Sequence, residues 1–447
     1  MIRVNRKSLS RMNLPNGQSG GRPSRIVRGA VLIAALILVQ SYGSLRSYAQ
    51  CGISPSKGAI AEEWDRIFTQ DGPGKGLEPE GSPGWAGGDS TYSLLLPNGD
   101  TAFFFSDSYV GEWPATKGDG TVTRTARGLR TTELNCFPPF CDPPASVFRP
   151  RNSIVVLNKA RTVMKTLVGA KDESGLSTSY FAEPSEGLVY WMGDAIVHHR
   201  SIVVFLHKFD SKLRFHGAAV AQLNARTLAI EKLAELRNHS ARDIHWGTAM
   251  LIQGPHLYIY GKGTRDDKKV AFVARVDAKS TTEQILDVSK WQVWDGRSWV
   301  GGVENAVSIV PRGDSVSDEF NIVRASISGK QTYILAAIDT AVPFGSWKDI
   351  TLYSSCVPEG PFTGKHVVYR MPESGSFSVP GLPSASRLKE SLVVYNPHIH
   401  SQFSEAGRLL ISYNINRQHN ADSIYIDGYR PRFISVPISG LKMSRQK

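Results

Sequence analysis

Two carboxylates stand at equal distances from one turn signal. Asp89 and Asp107 each lie about nine residues from the reversal in Pro97-Asn98-Gly99-Asp100, and an Asn-Gly pair between apolar runs is the strongest short-range hairpin signal. In an antiparallel pair, positions equidistant from the turn end up side by side. The spacing therefore brings both carboxyl groups to one rim. Paired carboxyls are what glycoside hydrolysis uses: one protonates the leaving oxygen, and the other is nucleophile or activates water. Two such groups also raise one another's pKa, which keeps a proton available near neutral pH. The competing interpretation is that both are simple turn or strand-end caps, a common task for Asp.

Other residues fit a sugar-binding rim. Asp194, after Gly193, occupies a matching place in a second unit, and Glu304 is a weaker third carboxylate. Asn396, His398 and His400 alternate, so an extended chain would aim all three to one face. Arg151 and Arg430 offer forked donors to hydroxyl or acidic groups, with Asn152 beside the first; buried arginine braces are the alternative. Trp85 and Trp113 have faces suited to stacking on sugar rings. The histidines and cysteines lack the spacing of a zinc site, and no phosphate loop, dinucleotide fingerprint, nucleophile elbow or H-E-x-x-H occurs in context. The expectation is a site without metal or cofactor.

These residues must be positioned by strands. From about residue 85 the chain is a series of short runs rich in Val, Ile, Phe and Tyr, bounded by Gly, Pro, Asn and Asp, which is strand grammar. Residues 223–237 are the best helical candidate, with strand–turn–strand close behind. A small or polar motif followed by strand, tight turn and strand recurs at 88–89, 193–194, 246–247, 304–305 and 396–398. Five such units predict an all-β chain, a five-bladed β-propeller of four-stranded blades; two packed sandwiches are the alternative. The predicted boundaries are 1–49 for a leader, 50–83 for an N-terminal segment and 84–440 for the propeller, with an insertion at 108–150. The closing blade should join 431–436 to a strand near 64–69.

The net charge of +12 comes from 52 basic and 40 acidic residues. Eight of the basic residues, and no acidic one, lie in residues 1–50; setting them aside leaves 44 against 40. The basicity belongs to the leader, so nucleic acid is not an expected partner. The apolar run at 29–43 is shorter than the roughly 20 residues that span a bilayer. With Ser47-Tyr48-Ala49 behind it, this predicts a secretory signal cleaved after Ala49, leaving no stable membrane insertion. Export permits disulfides. Cys136 and Cys141 bracket a short loop, and Cys51 with Cys356 would form the other pair, although four cysteines allow three pairings.

Gly84-Trp85-Ala86-Gly87-Gly88-Asp89-Ser90-Thr91-Tyr92-Ser93 and Phe105-Ser106-Asp107 resemble the opening blade of a secreted bacterial family, domain of unknown function 4185. Arg151-Asn152-Ser153, Tyr395-Asn396-Pro397-His398-Ile399-His400, Ser412-Tyr413-Asn414 and Tyr429-Arg430-Pro431-Arg432-Phe433 continue the resemblance in order. It implies a five-bladed glycosidase propeller similar to endo-D-arabinanases, with Asp89 and Asp107 as the catalytic pair. The expected function is a secreted glycoside hydrolase with a polysaccharide or oligosaccharide partner. The alternative is a non-catalytic glycan- or protein-binding propeller.

Overall fold

The computed structural model describes residues 51–68, 85–110, 150–173, 177–185, 187–238, 243–342, 347–373, 375–376, 391–417 and 429–444. These fall in one unit, residues 50–447. The predicted leader, the Cys136–Cys141 pair and Trp113 lie outside the described residues. Of the insertion at 108–150, Ser108–Val110 forms a strand paired with Trp85–Gly88.

Five sheets of four or five strands make a five-bladed β-propeller. Blade 1 runs Tyr92–Leu95, Thr101–Phe105, Ser153–Leu157 and Val163–Leu167; blade 2 starts at Leu188–His198 and ends at Ile230–Glu235. Blade 3 opens with His245–Gln253 and carries a fifth strand, Trp299–Gly301. Blade 4 opens with Asn321–Ile327, whose free edge takes Leu441–Met443. Blade 5 contains Ser391–Ile399, Arg408–Arg417 and Pro431–Pro437. The first strands touch in sequence from blade 1 to blade 5. Blades pack face to face, so interior strands are apolar on both sides: all of Thr101–Phe105 and Ser153–Leu157 is buried.

Residues 223–237 resolve as strand–turn–strand. The Asn224 side chain accepts the backbone N–H groups of Arg226 and Thr227 at 3.0 and 3.1 Å, and Leu228 takes φ 65°. That side-chain-stabilised reversal ends any helix and pairs Leu223 with Ile230. The closing strand is also displaced from the expected place. Ala59–Ile60 pairs with Pro431–Pro437, whereas Glu62–Ile67 is a helix. The helix serves closure by packing: Trp64 lies 4.2 Å from Phe403, and Phe68 stacks on Phe433 at 5.5 Å.

The first strands of blades 1, 2, 3 and 5 share a defect that matters for the site. Register shifts occur at Met192/Ala195, Trp246/Ala249 and Tyr395/His398. In blade 1 the chain breaks at Ser90 and Thr91, with φ of 70° and 58°. Bulges re-aim side chains at a rim. In blade 3 the bulge requires glycine: Gly247 has φ 88°, and a Cβ there would sit 2.1 Å from the Phe205 ring. The fourth expected unit was misplaced, because Glu304 lies in the short turn Val303–Asn305. The chain enters blade 4 through Asp318 and Glu319 instead.

A disulfide joins Cys51 to Cys356 across 305 residues, tying the N-terminal segment to blade 4. Converting both to Ala should lower unfolding stability by about 2–4 kcal/mol, measured by denaturant titration without reductant. An unchanged midpoint would show that Ala59–Ile60 and the helix close the ring unaided.

Candidate active site

The blade 1 hairpin pairs Tyr92 with Phe104 and Leu95 with Thr101, while Gly88 faces Ser108 on the flanking ribbon. Asp89 and Asp107 fall opposite one another in that register; the Asp89 N–H donates to the Asp107 carbonyl at 3.3 Å. Both are nearly enclosed, at 9% and 6% exposure.

Their environments differ. Asp107 Oδ1 accepts the Trp191 indole N–H at 3.0 Å, and the Arg151 guanidinium lies 3.4 Å from Oδ2. Burial pushes the Asp107 pKa up, while Arg151 and Trp191 hold it down. Asp89 Oδ2 accepts the Tyr395 hydroxyl at 3.0 Å, the Tyr429 side chain also hydrogen-bonds the carboxyl, and Oδ1 is buried without a close partner among the described residues. Burial, then the negative charges of Asp107 and Glu319, push Asp89 well above the ordinary carboxylate range. Asp89 is thus suited to hold a proton, and Asp107 to carry charge.

Glu319, which the sequence reading missed, completes the group. Its Oε1 accepts the Ser90 hydroxyl at 2.8 Å, and its Oε2 lies 2.8 Å from His398 Nε2. Ser90 in turn lies 2.6 Å from the Ser106 hydroxyl, which accepts the Met192 N–H at 2.9 Å. One polar chain therefore links blades 2, 1, 4 and 5. Burial, and then Asp318, raise Glu319 well above its usual value, and burial lowers His398 to about 3, so the imidazole is neutral. The signal available was Ser-Asp-Glu-Phe ahead of the alternating run 321–327, 15 residues beyond Glu304.

The remaining candidates separate. Asp194 sits in the blade 2 bulge and accepts the N–H groups of Ala195 and Met250 at 2.8 and 2.7 Å, so it staples blade 2 to blade 3. Arg151 reaches the site through Asp107. Asn396, at φ 52°, forms the bulge that delivers His398 to Glu319. That bulge breaks the expected alternation: His400 instead contacts Ser93 at 2.6 Å and faces Phe103 and Phe433.

Three expectations are corrected by burial. Trp85 is 1% exposed and packs on Phe68 and Phe105, leaving no face for a sugar. Asn152 is fully buried, bonded to the carbonyls of Phe181 and Tyr190 and to the Phe181 N–H. Arg430 is buried and donates to the Phe68 carbonyl. All three brace the scaffold. Among the described residues no three His, Cys, Asp or Glu side chains are grouped to hold a metal ion.

Fold and rim together define a five-bladed propeller with acidic residues gathered at the entrance of its first strands. The chain belongs to the family described as domain of unknown function (DUF5005), whose model matches residues 80–438. This match does not confirm the resemblance to family 4185. No curated protein sequence matches the chain. Among solved structures, it is similar to a "putative hydrolase" from Bacteroides ovatus ATCC 8483, with 19% identity over 86% of this chain and 93% of that one, at a TM-score of 0.58. It also matches the α-L-arabinofuranosidase PaAbf62A from Podospora anserina, crystallised with cellotriose (9% identity, 87% and 97% coverage, TM-score 0.39). A family 117 glycoside hydrolase from Zobellia galactanivorans matches at 11% identity, 90% of its chain and 87% of this one, with a TM-score of 0.40. Identity this low speaks to fold alone, so chemistry rests on this chain's own side chains.

Burial raises Asp194 to about 7, against the N–H groups of Met250 and Ala195 that hold it down. Its contribution to stability is fully present below about pH 4 and is lost as pH rises to about 7. Asp194→Asn should flatten that part of the stability–pH curve, measured by urea unfolding between pH 4 and 8. An unaltered slope would mean the carboxyl is ionised in the folded protein.

Proposed function

We propose that the protein is an exported glycoside hydrolase acting on polysaccharide, with Asp89 as the proton donor and Asp107 as the nucleophile or water-activating carboxylate. The observation that carries this reading is the unequal pair: two facing carboxyls in register, one beside a guanidinium and an indole N–H, the other beside two acidic neighbours. Environments that push apart the pKa values of paired carboxyls assign acid and base. In the forward step Asp89 gives its proton to the leaving glycosidic oxygen as the bond to the anomeric carbon breaks. Asp107 then attacks that carbon or takes the proton of an attacking water. Glu319, fixed by Ser90 and His398, keeps negative potential near Asp89 when ionised and so favours the protonated acid.

The narrower reading is an endo-acting enzyme on arabinan, similar to D-arabinanases. It is supported by the motif resemblance at 84–93 and 395–400. Export is supported by the basic and apolar character of residues 1–49 and by the Cys51–Cys356 bridge, a bond favoured in oxidising compartments.

Asp89→Asn and Asp107→Asn should each lower kcat by about 10²–10⁴-fold on whichever of arabinogalactan, lipoarabinomannan or plant arabinan is cleaved, while oligosaccharide binding persists. Release of oligosaccharides from none of these by the wild type would leave a binding propeller. A second outcome concerns pH. Arg151→Gln removes the cation that holds Asp107 down, so the acidic limb of the kcat profile should move to higher pH. A limb that stays in place would remove Asp107 from the ionised role.

A further inference from the structure

Beside the carboxyl group, between blades 3 and 4, lies a second cluster with the opposite sign. Lys262 on the strand His256–Arg265 and Lys269 on Lys268–Asp277 converge on Asp318, the residue before Glu319. Lys262 Nζ lies 3.3 Å from Asp318 Oδ1 and 3.2 Å from His245 Nε2. Lys269 contacts the other carboxylate oxygen, and its ammonium stands 4.8 Å from the centre of the Trp347 ring. Phe215 stacks on His245 at 3.9 Å and walls the other side.

The charges do not balance. Two ammonium groups share one carboxylate, although the Lys262 side chain is only 10% exposed. His245 adds no charge: burial, then Lys262, push its pKa well below the usual range. Asp243 approaches the His245 ring at 3.8 Å but is 74% exposed, too hydrated to compensate an enclosed ammonium. One carboxylate cannot neutralise both ammoniums, and the partly enclosed Lys269, 31% exposed, keeps positive charge that an anion could match. The cluster is open on one side, since the Asp318 side chain is 46% exposed.

We propose that this lysine pair is a subsite for an anionic substituent of the glycan, the carboxylate of a uronate or a sulfate ester. The inference rests on the glycan-hydrolase reading and narrows it to acidic polysaccharide. Lys262 and Lys269 would take the anion by charge-assisted hydrogen bonds, with Trp347 and Phe215 limiting access of water. Asp318 orients the two ammoniums in the empty site and competes with the ligand. Removing it should therefore strengthen binding, the opposite of what a purely structural ion pair predicts.

The test is calorimetric titration of the full chain, silenced by Asp89→Asn, at low salt. The probes are trigalacturonate against its methyl ester, and a sulfated galactan oligosaccharide against its desulfated counterpart. In at least one pair the charged member should bind about tenfold more tightly, and which pair does so identifies the source of the anion. Lys269→Gln should abolish that preference, Asp318→Asn should enlarge it several-fold, and 0.5 M salt should reduce it. Equal binding of charged and neutral members in both pairs, absence of binding by either charged probe, or a preference that survives Lys269→Gln overturns the inference. Cleavage of a neutral polymer without such a preference would overturn this inference and leave the hydrolase standing. Charge-dependent binding by a wild-type protein that cleaves nothing would do the reverse.

Discussion

The register of one hairpin governs the rim. Asp89 and Asp107 face each other because the strand pairs from Tyr92–Phe104 to Leu95–Thr101 count back evenly to them. Asn414 fastens the break in that hairpin, donating to Thr91 Oγ1 at 3.0 Å and to the Gly88 carbonyl at 3.3 Å. A slip of one residue would turn every side chain to the other face, sending Phe103 and Phe105 out of the aromatic core and the carboxyls away from each other. The core thus enforces the alignment of the acids: Phe68, Phe103, Phe105 and Phe433 are all fully buried.

Holding three acids in such a place is unfavourable for folding, because burial penalises their charged forms. The structure offsets this unevenly. Asp107 receives a guanidinium and an indole N–H, Glu319 a hydroxyl and an imidazole, and Asp89 the hydroxyls of Tyr395 and Tyr429 but no cation. With acidic neighbours and no cation, Asp89 is accordingly better suited than Asp107 to retain a proton. The chain Met192–Ser106–Ser90–Glu319 crosses blades 2, 1 and 4, so the hydrogen bond that Ser90 gives Glu319 is set by how the blades meet.

Much of this architecture was legible from local sequence. Alternating apolar runs bounded by turn formers specify strands, and the Asn98-Gly99 turn specifies the pairing of Asp89 with Asp107. The small or polar motifs at 193–194, 246–247 and 396–398 signalled the repeat, and the structure shows that each falls at a bulge. What escaped depended on contacts between segments far apart in sequence. Glu319 acquires its place from Ser90 and His398, 229 and 79 residues away, and no local periodicity carries that information. Trp85 looked like a sugar platform because an aromatic beside a rim motif has the same local signature whether its face meets water or Phe68. Asn152 and Arg430 misled in the same way, since polar side chains that satisfy buried carbonyls are indistinguishable in sequence from those that bind ligand.

Carboxyl-detected NMR titration of the aspartates and glutamates, assigned by single Asp→Asn variants, would test the central claim most directly. The account predicts that the Asp89 carbon retains its protonated shift well past the pH at which surface carboxylates have ionised. Asp107 should ionise first, and its ionisation should perturb the Asp89 signal. Ordinary, independent titration of both groups in the carboxylate range would contradict the account, because it would mean that the two acids neither sit in a shared enclosed rim nor divide the roles of proton holder and carboxylate.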